Sequence, residues 1–194
     1  PVILLRTPYN KAASAEHGRF FAAHGFIYVA QDVRGCWESE GTFFPFADEA
    51  PDGFDTIAWI AAQPWCNGQV GTMGCSYCAA VQSAAACLAP PPLATMIVQC
   101  GPSSFFDSSM RHNGALELRF IVYAFTMAAN ARATRQNPGR QKELARASKD
   151  IWSQLRAGPI RRGGTALALV PELEQWAIDL QTRATFDEFW RKPG

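Results

Sequence analysis

The bend around Ser76 restricts what this chain can fold into more than any other feature. The run Val70-Gly71-Thr72-Met73-Gly74-Cys75-Ser76-Tyr77-Cys78-Ala79 passes from a β-rich stretch through Gly-x-Ser into small helix formers. A strand that turns this sharply into a helix needs small neighbours at the corner, which Gly74 supplies and Ala79 nearly does. The corner residue is then held up at the strand end. The first amides of the following helix point to the same place, where negative charge would be stabilised. A lone Gly-x-Ser is also common in ordinary turns, and Cys78 stands where the general G-x-S-x-G pattern has its second glycine. The rest of the chain has to decide.

Its order is strand, helix, strand, helix, strand, helix, strand. Val2 to Leu5 is a short apolar run ending at Thr7-Pro8-Tyr9. Ser14 is placed to cap a helix through Ala23, with Gly25 just beyond. Phe26 to Ala30 is a second strand reaching Asp32, and Arg34 to Pro45 reads as a loop. A helix follows from about Asp52 to Ala62, with Phe54, Ile57, Ala58 and Ala61 predicted as its buried stripe. Gln69 to Gly74, Tyr77 to Leu88 and Ala94 to Val98 complete the alternation. Strands joined by crossover helices imply a mostly parallel sheet with helices on both faces, an α/β architecture. Ligands bind such sheets at the carboxyl ends of the strands, where Tyr9, Asp32 and Ser76 lie.

Beyond about Gly101 the pattern changes. Residues 115–129, 141–157, 172–182 and 185–191 read as helices with no further strand signal. The expected division is a sheet domain over 1–105 and a helical insertion over 106–194. With 194 residues, 48% of them hydrophobic, the chain can bury a sizeable core. Its net charge of +1 is unevenly spread: −5 over residues 1–110 and +6 over 111–194. The basic excess reads as a solvated Arg-rich helical surface, not a nucleic-acid patch, because Arg132 to Arg162 holds one aromatic and no reading motif. No apolar run reaches the roughly 18 residues that span a membrane. The six cysteines show no zinc spacing. They read as reduced thiols serving as small apolar residues, which points to the cytoplasm, with a Cys75/Cys78 redox pair as the alternative.

Several runs together resemble one family, the serine hydrolases related to cocaine esterase and bacterial Xaa-Pro dipeptidyl-peptidase (CocE/NonD type). These runs are Arg6-Thr-Pro-Tyr9 with Lys11, Gln31-Asp-Val-Arg-Gly35, Ser39-Glu-Gly41, Asp52-Gly-Phe-Asp-Thr56 leading to Trp59, Gln63-Pro-Trp-Cys-Asn-Gly68, and Gly71 through Tyr77. Phe186-Asp-Glu-Phe-Trp190 resembles the end of such a family's cap. The resemblance implies an α/β-hydrolase fold with an α-helical cap. It implies Ser76 as nucleophile, the Tyr77 backbone amide and the Tyr9 phenol as oxyanion donors, and a small-molecule ester or amide substrate. Dipeptidyl-peptidase specificity is an alternative, with Glu117 as candidate anion for a substrate amine; so is a non-catalytic binding protein. No metal or organic cofactor is implied, and a homo-oligomer is compatible with the family. Tyr9 has a second reading as a strand-end aromatic packed on the core. Asp32 and Arg34 are expected to pair with each other or brace their loop.

A Ser-His-acid triad needs a histidine after the serine in this fold. His17 and His24 precede Ser76, and His112 lies only five residues from Asp107, too near for an acid and a base on different strand ends. The chain begins without methionine in a strand-like run and ends at Trp190-Arg-Lys-Pro-Gly194 with no tail, so both ends read as cut from a longer protein; with no suitable histidine after Ser76, the acid and histidine are expected beyond residue 194. These residues alone are then expected to have little triad-dependent activity.

Overall fold

The computed structural model describes residues 1–191. They fall into two compact units: Pro1–Ser39 with Phe46–Pro102, and Glu40–Pro45 with the residues from Ser103 onward.

The first unit is built on four parallel strands, β1 (Val2–Thr7), β2 (Ile27–Asp32), β3 (Val70–Cys75) and β4 (Leu93–Gln99), in the order β2-β1-β3-β4. Helices α1 (Ala15–Ala23), α2 (Glu49–Ala61) and α3 (Tyr77–Ala86) make the crossovers. The chain winds outward from β1 to β2, then returns past β1 to lay down β3 and β4. The direction of winding therefore reverses between β1 and β3, which share the register Val2↔Val70 to Leu4↔Thr72. Since parallel crossovers keep one hand, the reversal moves the helices to the other face. On one face, α1 packs over β2, with Phe21 stacked on Tyr28 at 5.8 Å. On the other, Ile57 and Ile60 of α2 and Ala85 of α3 close over Val2, Leu4 and Val70.

Local details correct several expectations. Ser14 precedes α1, but its hydroxyl donates backward to the Lys11 carbonyl at 2.7 Å; Asn10 caps the short 3₁₀ turn Lys11–Ser14 instead. The buried side of α2 is Glu49, Ala50, Gly53, Ile57 and Ile60, while Ala58 is exposed. The helix starts three residues earlier than predicted and is rotated so that Gly53 meets α3. A Cβ at Gly53 would come within 2.6 Å of the Ala85 Cβ, so the two helices touch almost backbone to side chain. On β4, Met96, Ile97 and Val98 are exposed.

The second unit is mainly helical: α4 (Leu118–Asn130), α5 (Arg132–Arg135), α6 (Pro138–Lys149), α7 (Ile151–Leu155), α8 (Pro171–Thr182) and α9 (Glu188–Arg191). It also holds strands that the sequence reading missed, the hairpin of β5 (Arg111–His112) and β6 (Ala115–Leu116). Its two-residue turn is Asn113-Gly114, both at positive φ, which is the favoured hairpin pair and the signal that could have revealed it. The long helix expected over 141–157 is broken at Asp150, whose carboxylate accepts from the Ser153 amide and starts α7. Ile121, Phe125 and Met127 of α4, Leu144 of α6, and Leu173, Trp176 and Leu180 of α8 are all buried. Buried Arg111 donates from Nη2 to the carbonyl of Leu180 at 2.6 Å, supplying positive charge where α8 leaves carbonyls unpaired. Among the described residues, no helix is long and apolar enough to cross a membrane.

Candidate active site

Ser76 sits between the end of β3 and the first turn of α3, at φ 60° and ψ −118°. A non-glycine residue held there costs about 1–3 kcal/mol, and such strain persists only where the surroundings enforce it. Two backbone anchors do so. The Ser76 amide donates to the Gln99 carbonyl of β4 at 2.9 Å, and the Ser76 carbonyl accepts from Ala79 and Ala80, both at 3.0 Å. The serine itself is exposed. Gly74 makes the corner possible. It lies at φ 152°, and a Cβ there would come within 2.4 Å of the Cys78 Cβ and 2.9 Å of the Cys78 carbonyl oxygen. Cys78 therefore fills the space behind the bend, where its burial pushes its thiol pKa up although Thr7 hydrogen-bonds to it.

Thr7 links the bend to Tyr9. Its hydroxyl accepts from the Tyr9 amide at 3.0 Å, and the Trp37 indole donates to the neighbouring Pro8 carbonyl at 2.9 Å. The backbone of Tyr9 is thus fixed just past the end of β1, and the residue is 37% exposed. Tyr9 and Ser76 follow the carboxyl ends of two adjacent parallel strands, at the point where the winding reverses. In an open α/β sheet that crevice is where ligands bind.

Tyr77 divides its two ends differently. Its ring is buried and stacked on Phe46 at 4.2 Å. The hydroxyl donates to Glu49 Oε1 at 2.6 Å and accepts from the Phe46 amide at 3.1 Å. What Tyr77 offers at the strand ends is its main-chain N–H, in the first turn of α3, where the helix dipole favours negative charge. Glu49 in turn meets buried Arg6, with Nη2 3.0 Å from Oε2, and Arg6 also donates to Gln31 of β2 at 2.8 Å. One buried polar network therefore ties β1, β2, α2 and the first residue of α3 together. No motif marked Glu49 in the sequence; its role exists only through the packing of α2 on the sheet. Burial pushes the Glu49 carboxyl above its ordinary range, helped by Asp52 and Asp48 and opposed by Arg6 and Tyr77.

The expected pairing of Asp32 with Arg34 is not formed. Buried Asp32 accepts from the Lys11 amide at 2.7 Å and from Lys11 Nζ at 3.0 Å, while Arg34 forks onto Asp52. Both brace loops at the strand ends, with partners drawn from elsewhere in the chain. The cysteines are not simply small apolar fillers either, since Cys75, Cys87 and Cys100 are exposed. His17 and His24 are exposed on or just after α1, and His24 Nδ1 lies 2.8 Å from the Phe20 carbonyl. His112 Nε2 is 3.5 Å from Glu117. Glu117, the candidate anion for a substrate amine, thus has His112 and Arg119 beside it. Among the described residues there is no group of three or more His, Cys, Asp or Glu that could hold a metal ion.

The sequence profile of the X-Pro dipeptidyl-peptidase (S15) family matches residues 1–193. Cocaine esterase of Rhodococcus sp. (strain MB1 Bresler) is 40% identical over 92 residues, which are 44% of this chain and 16% of that protein. Two solved structures share the fold over the whole chain at 22% identity. A CocE/NonD family hydrolase of Staphylococcus aureus superposes with a TM-score of 0.67, and an aminopeptidase of the marine sediment archaeon Thaumarchaeota archaeon with 0.69. The chain spans 32% and 35% of those two proteins. Sheet order, the strained serine corner and a profile match along nearly the full length agree: this chain belongs to the S15 family of X-Pro dipeptidyl-peptidases and related hydrolases, and has their α/β-hydrolase fold.

Proposed function

We propose that the chain carries the nucleophile half of a serine hydrolase acting on a small ester or amide. Ser76 Oγ attacks the substrate carbonyl and its proton passes to a base. The carbonyl oxygen, now an oxyanion, is held by the Tyr77 amide and the Tyr9 phenol. The tetrahedral intermediate collapses, expels the alcohol or amine with that proton, and leaves an acyl group on Ser76; water then releases the acid. Each oxyanion donor contributes about 2.7–4 kcal/mol to such a transition state. The observation that carries this reading is Ser76 at φ 60°, exposed between a strand end and a helix N-terminus. Strain of that kind has no structural benefit of its own.

The three histidines of this sequence do not supply the base by position. The reading assigns the base and its acid to residues of the whole protein outside those described, consistent with solved relatives about three times as long. Ester or acyl-amide cleavage is favoured over dipeptidyl-peptidase specificity, because Glu117 already faces two cationic or titratable partners. Fluorophosphonate labelling of the full-length protein tests the proposal. Label on Ser76, lost in Ser76→Ala, is the expected result. An unlabelled Ser76 in the folded full-length protein would instead favour a non-catalytic binding role.

A further inference from the structure

Two exposed cysteines flank the backbone that carries Ser76. Cys75 ends β3 and pairs in register with Gln99 of β4; Cys100 follows directly. With strands ~4.8 Å apart and a rise of ~3.3 Å per residue, the Cα atoms of Cys75 and Cys100 lie about 6 Å apart. That is inside the range of roughly 4.4–6.8 Å that a disulfide spans. Strand alternation would send Cys100 to the opposite face from Gln99, and so away from Cys75. However, Cys100 is left-handed, at φ 51°. Rotating a residue from an extended φ to +51° swings its Cβ to the other side of the strand. That turns the Cys100 side chain toward the side on which Cys75 lies. The Cys75-x-x-Cys78 spacing suggested a different pair, but Cys78 is buried behind the bend against Gly74 and Thr7.

We propose that Cys75 and Cys100 form a thiol–disulfide exchange site, whose partner is a low-molecular-weight disulfide. One cysteine thiolate attacks a sulfur of the small disulfide; its S–S bond breaks and the first small thiol leaves with a proton. The second cysteine thiolate then attacks the protein-bound sulfur, displaces the second small thiol and closes the Cys75–Cys100 bond. Two protein thiols are oxidised, and one small disulfide is reduced to two thiols. The new bond links β3 and β4 beside the hydrogen bond from the Ser76 amide to Gln99, stiffening the corner. Partial desolvation by its neighbours, and then the Cys100 thiol, hold the Cys75 thiol pKa above its ordinary value. The exchange therefore accelerates as pH rises and more thiolate forms.

Glutathione disulfide is the probe. The folded protein is incubated with it, quenched in acid, alkylated and mapped by peptide mass spectrometry. The expected result is joint loss of alkylation at Cys75 and Cys100 and a cross-linked peptide lighter by two hydrogens, with Cys78 in neither. In Cys75→Ser, Cys100 is expected to stop at the glutathione adduct. A Cys75–Cys78 link, separate stable adducts on Cys75 and Cys100, or unchanged alkylation of both would each overturn the proposal. None of these readouts depends on hydrolytic activity.

Discussion

At Ser76 a side chain suited to chemistry occupies a backbone position suited to glycine. The φ 60°, ψ −118° conformation is one that a residue without Cβ adopts at little cost. Ser76→Gly is therefore expected to be more stable than Ser76→Ala by about 1 kcal/mol, because alanine keeps the strain and glycine releases it. Urea denaturation of the two variants measures the difference; equal midpoints would mean that the bend is not strained. Neither variant retains the hydroxyl, so the gain in stability accompanies loss of the proposed nucleophile, a trade-off common where strain serves a site. Gly74 is the opposite case. It is glycine because Cys78 occupies the space where its Cβ would be.

Between elements, the contact that matters most for the corner is α2 against α3. Gly53 lets the two helices approach, and Ala85 takes up the room. Gly53→Ala is expected to destabilise the first unit by about 1–3 kcal/mol through overpacking. Adding Ala85→Gly removes the clashing methyl and should recover most of that loss, although each single change is unfavourable or neutral. Thermal or urea unfolding of the double-mutant cycle reads the coupling. Additive costs would show that the helices can move apart, and that the close approach does not help to hold the start of α3.

Across the first unit, the Arg6–Glu49–Tyr77 network joins two strands to the residue that follows Ser76. Tyr77→Phe leaves Glu49 without its hydroxyl donor and the Phe46 amide without that acceptor, and is expected to cost about 1–3 kcal/mol. Glu49→Gln tests the electrostatics. The Glu49 carboxyl binds its proton more tightly in the folded chain than in the unfolded one. Its contribution to stability is therefore fully present below the ordinary carboxyl pKa of 4.5 and falls as pH rises through the higher folded value. Stability measured against pH should show this fall in the wild-type protein and lose that component in Glu49→Gln. If both proteins follow the same curve, Glu49 titrates normally and the network is electrostatically neutral to folding.

The alternation of strands and helices over the first hundred residues was legible because it is written locally. Apolar runs, Gly and Pro punctuation and the Gly-x-Ser corner each act over a few neighbours, and Ser76, Tyr9 and Asp32 could be placed at strand ends on that basis; the oxyanion roles of Tyr9 and Tyr77 came from the family resemblance. The Asn113-Gly114 hairpin was equally local and was overlooked. What no local pattern contained was the choice of partners. Arg34 takes Asp52 over nearby Asp32, the Tyr77 hydroxyl finds Glu49, Cys75 lies in register with Gln99 next to Cys100, and α2 turns Gly53 inward and Ala58 out. Each of these depends on the order β2-β1-β3-β4 and on which face each crossover helix covers. Those are decided by closing the whole sheet, since residues far apart in the chain become neighbours only once every strand has taken its place.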